Sequence, residues 1–371
     1  MKLQEKVLIH KANTTSREFF TDKGVKCVHY GDIYKNYSGK TVKSSTIINS
    51  FGKEVAHEKL LTCDSIIVPD VTETMSDWGH FTYIEYDGTP YINGTHALAL
   101  TCNSKITLQY LFRYLSSNHN RLRLQTLLNG STVFQISVKN FNQFELLDYH
   151  ETENAQQHIV DILGSLDDRI ENNIQIKQRL IKYSLLAFQR ISETNRKERR
   201  LDELFSFVNG YTFKSSDYTP NGNYKVITIK NIANDGFNAV GADKIKYIED
   251  YAKTKLSIGD ILLTMTGDVG RVGIVDIENA LLNQRVLKVV GPSKFFTYFA
   301  LLSNSENIKA LAKGSVQQNL GLKELSKYTI TCGDICEYLE YEWVIDKLLF
   351  ISKENEKLNE LKQLYLKKFF G

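Results

Sequence analysis

The sequence predicts an α+β chain built as two related globular domains with two long helices paired as an antiparallel coiled coil. Three observations carry that expectation. A set of motifs recurs in the same order in both halves, short β-branched and aromatic runs fill each half, and a heptad pattern closes each half.

The recurrence begins with KLQEKV at residues 2–7 and RLDELF at 200–205. GVKCVHYGDI (24–33) is followed in kind by NYKVITIKNI (223–232), and KLLTCDSIIV (59–68) by KLSIGDILLT (255–264). GSTVFQISVKNFNQFEL (130–146) parallels GSVQQNLGLKELSKYTI (314–330). A shared order with slowly drifting offsets points to duplication, and hence to two domains related by a pseudo-two-fold axis. The boundaries read as a first globular domain at 1–150, a central spacer helix at 151–198, a second globular domain at 199–336 and a C-terminal spacer helix at 337–371.

Strands are expected at CVHY, SIIVPDV, FTYIEY and ALALT in the first domain, and at YKVITI, DILLTM, VGIVDI and RVLKVV in the second. ITLQYLFRYL (106–115) and FFTYFALLS (295–303) read as short helices. The long helices repeat a set of positions at alternating steps of four and three. On the first these are Ile159, Leu163, Leu166, Ile170, Asn173, Lys177, Leu180 and Ser184, and on the second Val344, Leu348, Ile351, Asn355, Leu358, Lys362, Tyr365 and Phe369. Such spacing marks a coiled-coil seam, and two seams in one chain can bury each other. Pseudo-two-fold symmetry makes that pairing antiparallel, placing Asn173 opposite Asn355 and Ile159 opposite Phe369. A polar pair in an apolar seam can fix the register at a cost in stability.

Bulk composition narrows the function classes. Lys and Arg total 46 against 43 Asp and Glu, a formal charge of +3, so any basic footprint for a polyanion must be local. The five cysteines are scattered, and Cys332 and Cys336 lack the spacing of a zinc knuckle or redox pair. MKLQEKVLIH holds no long apolar run and nothing approaches a membrane span, so no secretory leader is expected and a reducing cytoplasm is the expected setting.

The catalytic motifs are equally restrictive. TGDVGRVG (266–273) lacks the Lys-Ser/Thr of a phosphate-binding loop and reads as a tight turn between two strands. No two prolines are adjacent, which argues against an NPPY- or DPPF-type base methyltransferase. Asp167 and Asp168 read as a solvated helix face rather than a nuclease pair. His80 and His96 have no ligand spacing around them.

LSIGDILLTMTGDVGRVGIV (256–275), KGSVQQNLGLKEL (313–325), ILGSLDDRIENNIQIKQRL (162–180) and RLDELFSFVNGYTFKSSDY (200–218) together resemble the specificity subunit of type I restriction-modification systems. The resemblance covers almost the whole chain. It implies two target-recognition domains, each reading one half of a split DNA target, with the paired helices setting the unread gap. It further implies no catalysis in this chain, docking of two DNA-methyltransferase subunits on the helices, and two restriction/translocase subunits in the full complex. S-adenosylmethionine, ATP and Mg would then be bound by the partners. The first domain departs from the pattern, with DVTETMSDWGHFTYI (70–84) where the second has TGDVGRVGIV. Two other readings compete: a fused restriction enzyme, which requires a catalytic motif the sequence lacks, and a dimerising repeat scaffold unrelated to DNA.

For reading bases the useful side chains are Arg or Lys to guanine and Asn or Gln to adenine. The second domain offers Lys230 and Asn231 after YKVITI, Arg271, the trio Asn283, Gln284 and Arg285, and the loop residues Gln317, Gln318 and Asn319. The matching places in the first are Tyr30, Asp32, Tyr34 and Lys35, then Thr95, His96 and Gln135, with Trp78 in the loop that answers to Arg271. Each alone is an ordinary solvated loop residue, but as a set they fall where the repeat expects one surface per domain. RKERR (196–200) reads as a solvated linker able to touch phosphates.

Overall fold

The computed structural model describes residues 1–194, 196–233, 236–314 and 318–371. Its chain divides into two units, one formed by Met1–Arg169 with Leu358–Gly371 and the other by Ile170–Lys357.

In the first unit a five-stranded sheet runs in the order Leu8–His10, Ala97–Thr101, Ser65–Pro69, Thr82–Glu85, Thr41–Lys43. A second, four-stranded sheet runs Phe20–Thr21, Ser50–Phe51, Val25–Val28, Tyr91–Asn93. The strand Ser65–Pro69 is buried along its whole length, which is why its sequence after Ser65 is apolar without alternation. Helix Lys105–Ser116 starts at Ser104, whose hydroxyl accepts from the Thr107 amide at 3.2 Å. It buries Leu108, Leu111, Phe112 and Leu115, one face of a 3.6-residue period. These side chains join Ile66, Val68, Trp78, Ile159, Leu163, Leu366 and Phe370 in a single core.

The second unit repeats the plan. One sheet runs Ser206–Asn209, Val286–Val290, Ile261–Thr264, Val272–Ile274, and the other Lys244–Ile245, Tyr224–Ile227, Ala280–Leu282, Lys255–Leu256. Helix Lys294–Ser303 again starts at a serine, Ser293, whose hydroxyl accepts from the Phe296 amide at 3.0 Å. One main-chain bond closes each unit in the same way. The Leu3 amide donates to Phe144 O and the Leu201 amide to Tyr328 O, both at 2.9 Å.

The long helices are Glu153–Glu193, of 41 residues, and Trp343–Phe370, of 28. Residues 337–342 precede the second of these: they finish the short helix Ile335–Leu339 and turn into it. Every heptad position named above is buried or half-buried. Within the second unit Asn173 Nδ2 donates to Asn355 Oδ1 and to Glu354 Oε2, each at 2.9 Å, and Lys177 Nζ donates to Ser352 Oγ at 3.0 Å. Within the first unit Ile159 shares the core with Phe369.

Two sequence expectations are corrected here. Asp167 is not on a solvated face, because its carboxylate accepts from both Arg113 and Lys362. Residues 197–200 are not a linker. Lys197–Arg200 is a strand antiparallel to Thr329–Cys332, with Lys197 opposite Cys332 and Arg200 opposite Thr329. All four side chains of this strand are exposed, so pairing rests on the backbone and leaves no hydrophobic alternation to read.

Candidate nucleic-acid interface

In each unit several strands end together, and matching main-chain bonds tie their ends into one edge. In the first unit the Gly94 amide donates to Val28 O (2.9 Å), Asp70 to His96 O (3.1 Å), Ile136 to Asp70 O (2.9 Å) and Asn129 to Gln135 O (2.9 Å). In the second the Asn283 amide donates to Ile227 O (3.0 Å), Met265 to Arg285 O (3.0 Å), Leu320 to Met265 O (2.9 Å) and Lys313 to Asn319 O (3.0 Å). Gly94 therefore answers to Asn283, Asp70 to Met265, His96 to Arg285 and Gln135 to Asn319. The tight loop before Gln135 needs glycine: Gly130 has φ +124°, and a Cβ there would lie 2.0 Å from Val133 O.

The side chains hung on this common edge differ. In the first unit His96, itself at φ 58°, places Nδ1 3.0 Å from Asp70 Oδ1. Tyr30 meets the His96 ring edge-on at 5.7 Å and lies 4.6 Å from the His29 ring. Tyr34 donates its hydroxyl to Val71 O at 2.9 Å and meets His80 at 5.1 Å. Thr95 is tied to Thr15, taking that residue's amide at 2.7 Å and donating to its carbonyl at 2.8 Å. Lys35 and Gln135 are exposed.

In the second unit Lys230, Gln284, Arg285, Gln318 and Asn319 are exposed. Gln284 Oε1 accepts from the Thr212 hydroxyl, Asn283 Oδ1 accepts the Arg285 amide at 3.1 Å, and Gln318 O accepts the Gly267 amide at 2.9 Å. Asn319 forms a bridge with Thr266. Gln317 lies outside the described residues.

Four expected contact residues are buried or held by other groups of the fold. Trp78 is fully buried, with Nε1 donating to Pro69 O at 2.9 Å, so it packs the floor beneath its loop. Asn231 is buried and spent on the backbone: Oδ1 accepts the Thr228 amide at 3.0 Å, and Nδ2 donates to Asn238 O at 3.0 Å. Asp32, its counterpart, accepts from the His29 amide at 3.2 Å and from Asn49 Nδ2 at 2.8 Å. Arg271 is half-buried. It pairs with Asp268 at 2.9 Å, reaches Ile232 O at 3.4 Å and lines a cleft of about 1090 Å³ with Lys177, Lys182 and Asp276. Sequence reading gave no contact role to His29 or Asp70; Asp70 meets His96 26 residues along the chain, while the His29 ring takes the Gly31 amide two residues on. No group of His, Cys, Asp and Glu among the described residues is arranged to hold a metal ion, and no helix among them is long and apolar enough to cross a membrane.

The family model for the type I restriction modification DNA specificity domain matches twice, at residues 4–181 and 193–332. The chain belongs to this specificity-domain family. Each copy of the specificity domain thus contains one of the two edges. The fold is shared with the crystal structure of the type I restriction-modification S subunit from M. genitalium, at 16% identity and a TM-score of 0.61, over 100% of this chain and 95% of that one. The HsdS subunit from Thermoanaerobacter tengcongensis also matches, at 15% identity and a TM-score of 0.33, over 91% of this chain and 92% of that one. No curated protein matches the chain.

Electrostatics distinguish the edge of the first specificity domain. Burial lowers the His80 pKa, with Arg121 adding to the effect, and burial followed by Arg17 does the same to His29. Both imidazoles favour the neutral form in the fold. Their contribution to stability is therefore present above the unfolded value of about 6.5 and is lost as pH falls below it. Thermal unfolding of the first unit should shift to lower temperature between about pH 7.5 and pH 5.5. His80→Gln should flatten that dependence, and a pH profile unchanged in the variant would remove His80 from the account.

Proposed function

We propose that the chain supplies sequence specificity to a type I restriction-modification complex, each specificity domain reading one half of a bipartite DNA target. The observation that carries this reading is the shared edge: the same four main-chain bonds in both units, carrying His96, Asp70 and Tyr30 in one and Arg285, Lys230 and Gln284 in the other. One frame with two sets of hydrogen-bonding groups suits a protein that recognises two unlike half-sites.

The long helices act as an antiparallel strut that sets the gap between half-sites. Support comes from bonds that run in opposite chain directions, Asn173 to Asn355 and then Lys177 to Ser352. A helix of 41 residues is ~60 Å long at 1.5 Å per residue, beyond the ~34 Å of one DNA turn. Exposed apolar side chains at heptad-like steps, Ile176, Tyr183 and Leu186 on the central helix and Trp343 and Phe350 on the C-terminal one, offer docking surface for methyltransferase subunits. The chain itself performs no catalysis. S-adenosylmethionine, ATP and Mg bind in the partner subunits, including two restriction/translocase subunits in the full complex.

Exchange of residues 1–150 for those of a relative, tested by sequencing the duplexes selected by the methyltransferase complex, should alter one half-site only. Removing about four residues, one helical turn, from the spacer should change the gap or abolish binding while leaving both half-site sequences as they were. A rewriting of both half-sites by either edit overturns the modular reading.

A further inference from the structure

His96 and Arg285 occupy the same rung of the two repeats. Each is the residue just before the second strand of its sheet, Ala97–Thr101 or Val286–Val290. Each gives its carbonyl to the residue that follows the neighbouring strand, Asp70 or Met265, at 3.1 and 3.0 Å. One residue further on, the carbonyls of Asp70 and Met265 both accept an amide at 2.9 Å, from Ile136 and Leu320. The two side chains therefore leave equivalent points of equivalent frames.

We propose that each of the two determines one base of its half-site: His96 selects a base bearing an exocyclic amino group, adenine or cytosine, and Arg285 selects guanine. The inference rests on the DNA-reading function above. For His96 the reasoning starts from Asp70. A carboxylate only accepts, so Asp70 selects the imidazole tautomer that carries its proton on Nδ1 and leaves Nε2 as the unprotonated nitrogen. Nε2 is then a hydrogen-bond acceptor, and in the major groove the amino donors are adenine N6 and cytosine N4. Asp70 is a positioning residue. Its side chain is 14% exposed where that of His96 is 45% exposed, so the acid sits behind the ring and the ring faces outward. The left-handed φ of 58° at His96 is a conformation non-glycine residues seldom adopt, and such outliers gather where a side chain must be aimed.

For Arg285 the reasoning starts from exposure and chemistry. Asn283 Oδ1 holds the Arg285 amide at 3.1 Å, which fixes the backbone, while the guanidinium is exposed. Its planar fork matches guanine O6 and N7 together, a fit no other base edge offers.

The test uses the full chain assembled with its methyltransferase subunits, incubated with randomised duplex DNA, and sequencing of the bound fraction. Arg285→Ala should erase the preference for guanine at one position of one half-site, a loss of roughly 5- to 150-fold in discrimination, with the other half-site unaltered. Arg285→Lys keeps the charge but not the fork, and should retain binding while discriminating less at that position. His96→Gly tolerates the positive φ and should relax one position of the other half-site, where the intact chain takes adenine or cytosine. Asp70→Asn should weaken selection at that same position and at no other. An unchanged base preference in Arg285→Ala or His96→Gly overturns the proposal, as does an equal weakening on all sequences, which is the mark of a phosphate contact. If the intact complex itself enriches no sequence, the DNA-reading function fails, and that result is distinct from either.

Discussion

Replacing Trp78 by alanine should lower the stability of the first unit by about 3–5 kcal/mol, the usual cost of emptying a large aromatic site in a core. The indole has no exposed surface and lies edge-on to Phe81 and Phe141, with ring centroids 5.9 and 6.3 Å away. Its Nε1 proton satisfies Pro69 O at 2.9 Å, and its own carbonyl takes Gln125 Nε2 at 3.1 Å. The first of these bonds is lost with the side chain, and the second anchors the loop that the side chain holds down. Trp78→Phe retains most of the packing and should cost less. Urea unfolding followed by far-UV circular dichroism can measure both; fluorescence cannot, because the tryptophan left in either variant, Trp343, belongs to the other unit. A shift below about 1 kcal/mol in Trp78→Ala would contradict the packing account.

Asp167→Ala should cost about 2–4 kcal/mol, toward the lower part of the range for breaking a buried ion pair, because the carboxylate retains some contact with water. Asp167 is 25% exposed, Arg113 11% and Lys362 19%, and the single carboxylate serves both cations. Removing it leaves two positive charges facing each other with little water to solvate them. Arg113 Nε is already buried without a hydrogen-bond partner, so the arginine has little else to fall back on. The combination Asp167→Ala with Arg113→Met and Lys362→Met should recover much of the loss, since the cost comes from orphaned charge more than from missing attraction. Thermal unfolding of the three proteins is the measurement. If the triple variant were no more stable than Asp167→Ala, orphaned charge would not be the cause.

Much of the strand and helix order was legible because it obeys short-range periodicity. Ser65–Pro69 and Ala97–Thr101 are apolar runs, and helix Lys105–Ser116 shows its buried face at three- and four-residue steps. What escaped has physical reasons of its own. The strand Lys197–Arg200 is four charged residues whose pairing is purely main chain. Asp167 looked solvated because its partners are 54 and 195 residues away in sequence.

Trp78 was misplaced because the stretch around it departs from its counterpart, and an aromatic residue in such a loop packs inward as readily as it reads a base. The capping role of Asn231 was within reach. Thr228-x-x-Asn231 is a reciprocal capping spacing, and both side chains are spent on it. His96 and Arg285 were already among the candidates. Only the matched carbonyl bonds revealed that they share a rung, because that equivalence is a property of sheet register.

The bonds that build each edge link backbone to backbone, and this bears on how such a chain can change over generations. At residue 285 the scaffold asks only for an amide and a carbonyl, so substitutions there carry almost no folding penalty and are open to selection by the host's DNA. Residue 96 is less free, since its left-handed backbone favours glycine, asparagine or histidine. Drift toward new targets should therefore proceed faster in the C-terminal copy than in the N-terminal one.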